Sequence, residues 1–205
     1  MGAPVSALEA GRIRDAARLS WAGGFAGIAA FVLSFFIEGA GIGFILWPIA
    51  FGILVVALFP ILRPSGLSPA LIVTLVGLTA AVLEVVGIIV PRVNGQLRIS
   101  PIFGAGTICL GAWFVGAAAA SKVAQTLPTA ITRRLMRGGM GFVLVGASWF
   151  VEDPFASLGA LGVGAVVSGG VGPLFKHLRR YGLPPEPAPA PEAESSGDPP
   201  MFSPT

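Results

Sequence analysis

Residues 69–90, PALIVTLVGLTAAVLEVVGIIV, form the stretch that decides the fold. It contains 22 residues, and only Thr74, Thr79 and Glu84 among them have polar side chains. A helix needs about 20 mostly apolar residues to cross the hydrocarbon core of a bilayer. The stretch therefore predicts a transmembrane helix with one ionisable side chain, Glu84, deep inside it.

The composition of the whole chain agrees with this prediction. Of its 205 residues, 54% are hydrophobic and 11% are charged, and the mean hydropathy is +0.84. Soluble domains carry about 25% charged residues, so we expect the lipid bilayer to be the main partner of this chain. The excess of Arg over Lys, with abundant Ala, Gly and Pro, is typical of a bacterial protein.

Five further apolar stretches predict more membrane-spanning helices. The expected fold class is all-α, a polytopic integral membrane bundle of six transmembrane helices arranged as three hairpins. The predicted spans are residues 19–37, 43–62, 69–90, 101–121, 135–151 and 155–175. Pro91 is expected to end the third span. A polar loop is expected over residues 122–137, with room for one short helix after Pro128.

The segments at the two ends of the chain have their own character. Residues 1–18 contain a capping box, Ser6-Ala7-Leu8-Glu9, which predicts a short helix on the membrane surface. Residues 183–205 are rich in Pro and acidic residues, so we predict a disordered tail.

The distribution of basic residues predicts the orientation. With six spans and a cytoplasmic N-terminus, 11 Lys and Arg side chains fall on inner segments, and only Arg92 and Arg98 fall on outer loops. Positive loops favour the cytoplasmic side. We therefore expect a multi-pass protein of the cell (plasma) membrane with both termini inside.

Glu84 is the candidate functional residue of the spans. Helical spacing places Gly77, Ala80, Ala81 and Gly87 on its side of the helix, and small residues mark helix contacts in lipid. An intramembrane acid is a functional-site hypothesis by default. Two interpretations stay open: Glu84 is a proton or cation site, or its carboxyl group only joins helices by hydrogen bonding.

Three other acids are predicted at the outer ends of the first and fifth spans: Glu38, Glu152 and Asp153. They either form an acidic cluster that attracts cations or are simply solvated. Glu38 and Glu152 each follow a glycine pair, 14 residues after Gly24 and Gly138, which is either an internal duplication or a chance similarity.

Small residues spaced four apart predict a helix-packing seam on the sixth span. Its members are Ala156, Ala160, Gly164, Ser168 and Gly172. The fourth span has a similar run, namely Gly104, Ala112, Gly116 and Ala120. Such ribbons allow helices to approach closely, within one chain or between two chains.

No catalytic or nucleotide-binding motif occurs, and one cysteine, Cys109, excludes a multi-cysteine metal site. We predict no cofactor, no metal and no nucleic-acid partner. The sequence favours a non-enzymatic bundle that acts as an accessory or assembly component, with a membrane-protein partner or a second copy of the chain. The alternative is a small transporter or channel that uses Glu84.

Overall fold

The computed structural model describes residues 5–33, 36, 40–93, 101–148, 150 and 171–183, and this part of the chain is all-helical. The helices are α1 (Ala7–Leu33), α2 (Leu46–Ala57), α3 (Phe59–Leu62), α4 (Leu67–Val93), α5 (Pro101–Ala124), α6 (Thr129–Ser148) and α7 (Val171–Arg179). Short 3-10 helices, Ala40–Ile45 and Arg63–Ser65, precede α2 and α4.

Two of the described helices are long and apolar enough to cross a membrane. They are Leu67–Val90 within α4 and Pro101–Ala124, which is α5. A third candidate is a bent pair, Gly43–Ala57 with Phe59–Ser65, which turns by 44° at its break. The all-helical class and two or three candidate spans are thus present, and the count of six spans stays a prediction.

The N-terminal segment and the first predicted span form one helix. The capping box at its start is confirmed, since the backbone N–H of Ser6 donates to Glu9 Oε2 (2.9 Å) and that of Glu9 donates to Ser6 Oγ (3.2 Å). Residues 7–18 belong to a longer helix than the short one predicted, because α1 continues to Leu33 and buries Ile13 and Ala17 in the bundle.

The second predicted span, 43–62, is broken at Leu58, between α2 and α3. Pro60 lies in the first turn of α3. Proline has no N–H to donate to the preceding turn, and its ring clashes there, so an unbent helix cannot pass through this position. The bend lets Ile61 and Leu62 remain buried beyond the break.

The boundaries of two later helices differ from those predicted. α4 continues to Val93, so Pro91 lies in its last turn and does not end it. α6 begins at Thr129, six residues before the predicted fifth span, and three arginines predicted in a loop therefore lie on a helix. The loop between α5 and α6 is short because Gln125 adopts a positive φ of 55° and reverses the chain.

Neighbouring helices pack antiparallel, and glycines lie at their closest contacts. A Cβ at Gly87 of α4 would lie 2.5 Å from the backbone nitrogen of Phe103 on α5. A Cβ at Gly111 of α5 would lie 2.5 Å from the carbonyl oxygen of Gly139 on α6. About two helical turns further along α6, a Cβ at Gly146 would lie 2.6 Å from the carbonyl oxygen of Gly104 on α5. The α5–α6 pair therefore packs backbone against backbone.

The short helix α7 packs across α1 and α6 near the start of α1. Its apolar face buries Leu174, Phe175 and Leu178. Arg14 of α1 donates from Nη1 to the carbonyl oxygen of Tyr181 (2.7 Å), which fixes the chain just after α7. Burial lowers the pKa of His177 and raises the pKa of Tyr181.

Basic side chains lie towards one end of the bundle, which we call the basic end. The antiparallel order brings the start of α1, the α3–α4 and α5–α6 connections and α7 to this end. Hydrogen bonds from Ser6 lower the pKa of Glu9, and the positive charges of Arg63 and Arg12 lower it further. The basic residues concerned are Arg12, Arg14, Arg18, Arg63, Lys122, Arg133, Arg134, Arg137, Lys176, Arg179 and Arg180.

Gly111→Ala is expected to destabilise the protein by about 1–3 kcal/mol, because the added methyl group would overlap backbone atoms of α6 and force the helices apart. The thermal unfolding of the protein in detergent measures this change. Gly11→Ala is the matched control, since its Cβ would meet only Arg14 Nη2 at 3.8 Å. An unchanged melting temperature for Gly111→Ala would contradict the close α5–α6 packing.

Candidate functional site

Glu84 is buried inside the bundle, with 1% of its surface exposed. Ala80, which is fully buried, and Gly87 lie on the same face of α4. Val82 and Ile89 lie on the opposite face and are 59% and 40% exposed. The carboxyl side chain therefore points towards the neighbouring helices, on the side that the spacing of small residues predicts.

Gly106 of α5 allows the backbone of α5 to close over Glu84. A Cβ at position 106 would lie 2.8 Å from Cγ of Glu84, 2.9 Å from its backbone nitrogen and 3.2 Å from the carbonyl oxygen of Ala80. Two of these three atoms belong to the backbone of α4, which cannot move aside without moving the helix. A residue with any side chain at this position would therefore hold α5 away from the acid.

Two polar groups face the carboxyl group of Glu84: the hydroxyl of Thr107 on α5 and the indole N–H of Trp47 on α2. Oε2 of Glu84 has no hydrogen-bond partner within the described structure. The Thr107 hydroxyl donates its own proton to the Phe103 carbonyl oxygen (3.0 Å). Its lone pairs can therefore accept a hydrogen bond from a protonated carboxyl group, whereas the indole can only donate. Both neighbours are suited to a neutral carboxyl group, and Oε2 stays without a partner in the described structure.

A layer of aromatic rings extends from Trp47, a neighbour of Glu84, through α5 to α6. Phe51 of α2 lies 5.8 Å from Trp47 and 5.0 Å from Trp113 of α5, measured between ring centroids. Phe114 continues the layer to Phe142 of α6, with stacked rings 5.4 Å apart. Trp113, Phe51 and Phe114 are each at most 1% exposed. These rings form a buried apolar layer that begins at the Trp47 neighbour of Glu84.

Most of the other predicted site residues lie outside the part of the chain that the structure describes. The acidic cluster of Glu38, Glu152 and Asp153 lies outside the described residues, as do Ala156, Ala160, Gly164 and Ser168 of the predicted seam. Gly172 is described, and none of the described residues has an atom within 4 Å of the position of its Cβ. Within the described ranges, no three His, Cys, Asp or Glu side chains form a group able to hold a metal ion.

The small-residue run of α5 faces several directions. Gly104 contacts α6, Gly116 lies against Val73 of α4, and Ala112 is exposed. Each residue of a helix turns by 100°, so residues four apart point in slightly different directions around the helix axis. One run of small residues can therefore contact two neighbouring helices. The run does contribute to packing, although it is not a single seam.

Sequence reasoning did not identify the neighbours of Glu84, which are Gly106, Thr107 and Trp47. The signal that could have found two of them is the antiparallel register of α4 and α5. Pairing Gly87 with Phe103 and Gly77 with Trp113 places Glu84 beside Gly106 and Thr107. The position of Trp47 depends on how α2 packs and is not encoded in a local pattern.

No protein-family model matches the chain, and comparisons with curated proteins and with solved structures found no match either.

A double-mutant cycle tests the contact between Glu84 and Thr107. Glu84→Met and Thr107→Val keep the approximate side-chain volumes and remove the polar groups. We expect a coupling free energy of about 0.6 kcal/mol, and at most about 1.7 kcal/mol, which is the range for hydrogen bonds between membrane helices. Equilibrium unfolding of the four proteins in mixed micelles measures it.

Thr74→Val provides the control for this cycle. Thr74 also lies on a candidate span and also donates to a carbonyl oxygen four residues earlier, that of Ala70 (2.8 Å), but it lies far from Glu84 along α4. Its coupling to Glu84→Met should be close to zero. Equal coupling energies for Thr107 and Thr74 would refute a specific contact.

Proposed function

We propose that this chain is a non-enzymatic multi-pass membrane protein that acts as an accessory or assembly component, with Glu84 as a buried contact between helices. The observation that carries the proposal is the enclosure of Glu84. Its side chain is 1% exposed, and the α5 backbone at Gly106 lies directly against it. A transport site must exchange its ligand with water, and this packing leaves no room for such exchange without separation of α4 and α5.

The two cavities described here support the same interpretation. One lies between α1, α2 and α4, and the other lies between α6 and α7. Glu84 lines neither of them. A carboxyl group that meets a hydroxyl, an indole and apolar surface is suited to holding three helices in register, since these contacts are lost when any one helix shifts.

A small transporter or channel that uses Glu84 as a proton or cation site is the second candidate. The unpaired Oε2 of Glu84 favours it, because a buried polar atom without a partner is energetically costly and often marks a functional group. In this alternative the helices α4 and α5 separate during the cycle and expose the acid to water.

Glu84→Gln distinguishes the two candidates, because the amide keeps the shape of the side chain but cannot carry a proton at neutral pH. Purified protein in proteoliposomes is tested for proton flux with a pH-sensitive dye and for monovalent cation flux under an imposed gradient. For an accessory protein we expect flux equal to that of protein-free vesicles, before and after the substitution. Wild-type flux that Glu84→Gln abolishes would overturn the proposal in favour of transport.

The matched control for this experiment is Thr74→Val, which removes another polar group from the same helix.

A second experiment, chemical crosslinking in native membranes, tests the assembly role directly. An accessory component should give a discrete product larger than the monomer at low crosslinker concentration. Purely monomeric protein in that experiment would contradict the assembly role.

We further propose six spans in the plasma membrane, with the basic end and both termini on the cytoplasmic side. The grouping of 11 of the 13 Lys and Arg residues at the basic end supports this orientation, because positive segments are retained in the cytoplasm. α4 and α5 would then be joined outside the cell, around residues 94–100.

Single cysteines in a Cys109→Ala background test the orientation. A membrane-impermeant maleimide should label Asn94→Cys on intact cells, because the α4–α5 connection is expected to be outside. Ser68→Cys and Thr129→Cys, at the starts of α4 and α6, should be labelled only in inside-out vesicles. Labelling of Ser68→Cys and Thr129→Cys from opposite sides would contradict the proposed topology, and the cysteine-free background controls for non-specific reaction.

A further inference from the structure

A cavity of about 640 Å³ lies between α6 and α7 at the basic end. The described residues that line it are Arg134, Gly172, Pro173, Lys176, His177 and Arg180. Arg134, Lys176 and Arg180 carry positive charges, and none of the six residues is acidic. The cavity is open on one side, and the exposed Arg134 and Lys176 can reach a ligand from two different helices.

The packing of α7 holds these basic groups in place. The apolar side chains of Phe175 and Leu178 anchor one face of α7 in the bundle, so that Lys176 and His177 lie on the other side of the helix. Arg179 is directed away to the Trp21 ring, 5.5 Å from its centroid, and Arg14 fixes the Tyr181 carbonyl group. The ring of His177 packs edge-on against Tyr181 at 6.0 Å. The cavity is therefore built on fixed elements.

Like charges brought together in this way repel each other, and the repulsion is greater beside a low-dielectric bundle than in water. The two described acids at the basic end, Glu9 and Asp15, interact with residues of the N-terminal segment. Glu9 accepts from Ser6, and Asp15 lies 3.5 Å from Arg18. A bound anion would compensate the charge of the cavity, and Arg and Lys are the side chains that bind phosphate groups through charge-assisted hydrogen bonds.

We infer that the α6–α7 cavity binds a phosphate group, with Arg134 and Lys176 as its principal ligands. The planar guanidinium of Arg134 can contact two phosphate oxygens at once, and the Lys176 ammonium can approach a third from α7. Gly172 also lines the cavity, and no described atom lies within 4 Å of its Cβ position. The phosphate can belong to an anionic phospholipid headgroup, for which basic pockets between helices are suited, or to a soluble phosphate compound.

The experiment titrates two probes into delipidated full-length protein in phosphate-free detergent buffer. The probes are short-chain phosphatidylglycerol and inorganic phosphate, and native mass spectrometry and the ligand-induced shift of the melting temperature report binding. Saturable binding of either probe supports the inference and identifies the source of the phosphate group. Failure of both probes to bind at millimolar concentration overturns it.

Two double variants that remove the same charge test whether binding depends on the residues that line the cavity. Arg134→Gln with Lys176→Gln is expected to weaken binding by about tenfold or more, because charge-assisted hydrogen bonds to phosphate are lost. Arg133→Gln with Lys122→Gln removes an exposed arginine and lysine that do not line the cavity, and its affinity should stay within about twofold of the wild type. Equal losses in the two variants would overturn the inference.

The acidic C-terminal segment is the competing occupant. It follows α7 in the sequence and carries Glu186, Glu192, Glu194 and Asp198. A full-length variant with these four residues changed to Gln or Asn should bind the probes with the wild-type affinity. If only this variant binds phosphate, the tail carboxylates occupy the cavity and the inference is wrong.

Discussion

The close approach of helix backbones is the constraint on which the rest of this structure depends. α4 and α5 meet at Gly106, and α5 and α6 meet at Gly111 and Gly139, at distances that leave no room for a Cβ atom. In a lipid environment, apolar side chains gain little by leaving lipid for protein, so helix association relies on tight packing and on a few polar contacts. Glycine supplies the packing here, and the Glu84 contact with Thr107 and Trp47 supplies the polar part.

This constraint explains why the acid is tolerated where it lies. An isolated carboxyl group facing hydrocarbon is costly, and the chain avoids that cost by turning Glu84 towards Gly106. The same closure restricts what the acid can do. Ligand exchange with water would need the α4–α5 contact to open, so the tightness that stabilises the bundle also argues against frequent exposure of Glu84. Function in this molecule is therefore better sought at its surfaces and its basic end.

The basic residues at the basic end affect both the orientation of the chain in the membrane and the packing of the helix ends. Positive residues at the helix ends favour retention on the cytoplasmic side, and the same residues must be accommodated together once the helices are antiparallel. Arg14 and Arg179 each have a defined neighbour, namely the Tyr181 carbonyl group and the Trp21 ring. The cavity between α6 and α7 is lined by four further basic residues, Arg134, Lys176, His177 and Arg180.

The sequence by itself determined the helical class, the capping box at Ser6 and the inward face of Glu84, because hydropathy, capping chemistry and helical periodicity are local properties. It misplaced the start of α6 and the end of α4, since a proline or an arginine run near a helix end does not reveal where hydrogen bonding stops. Only the tertiary structure decided which groups meet the acid and which basic residues share a cavity. Those contacts depend on the register and the order of packed helices, and many registers are compatible with the same apolar stretches.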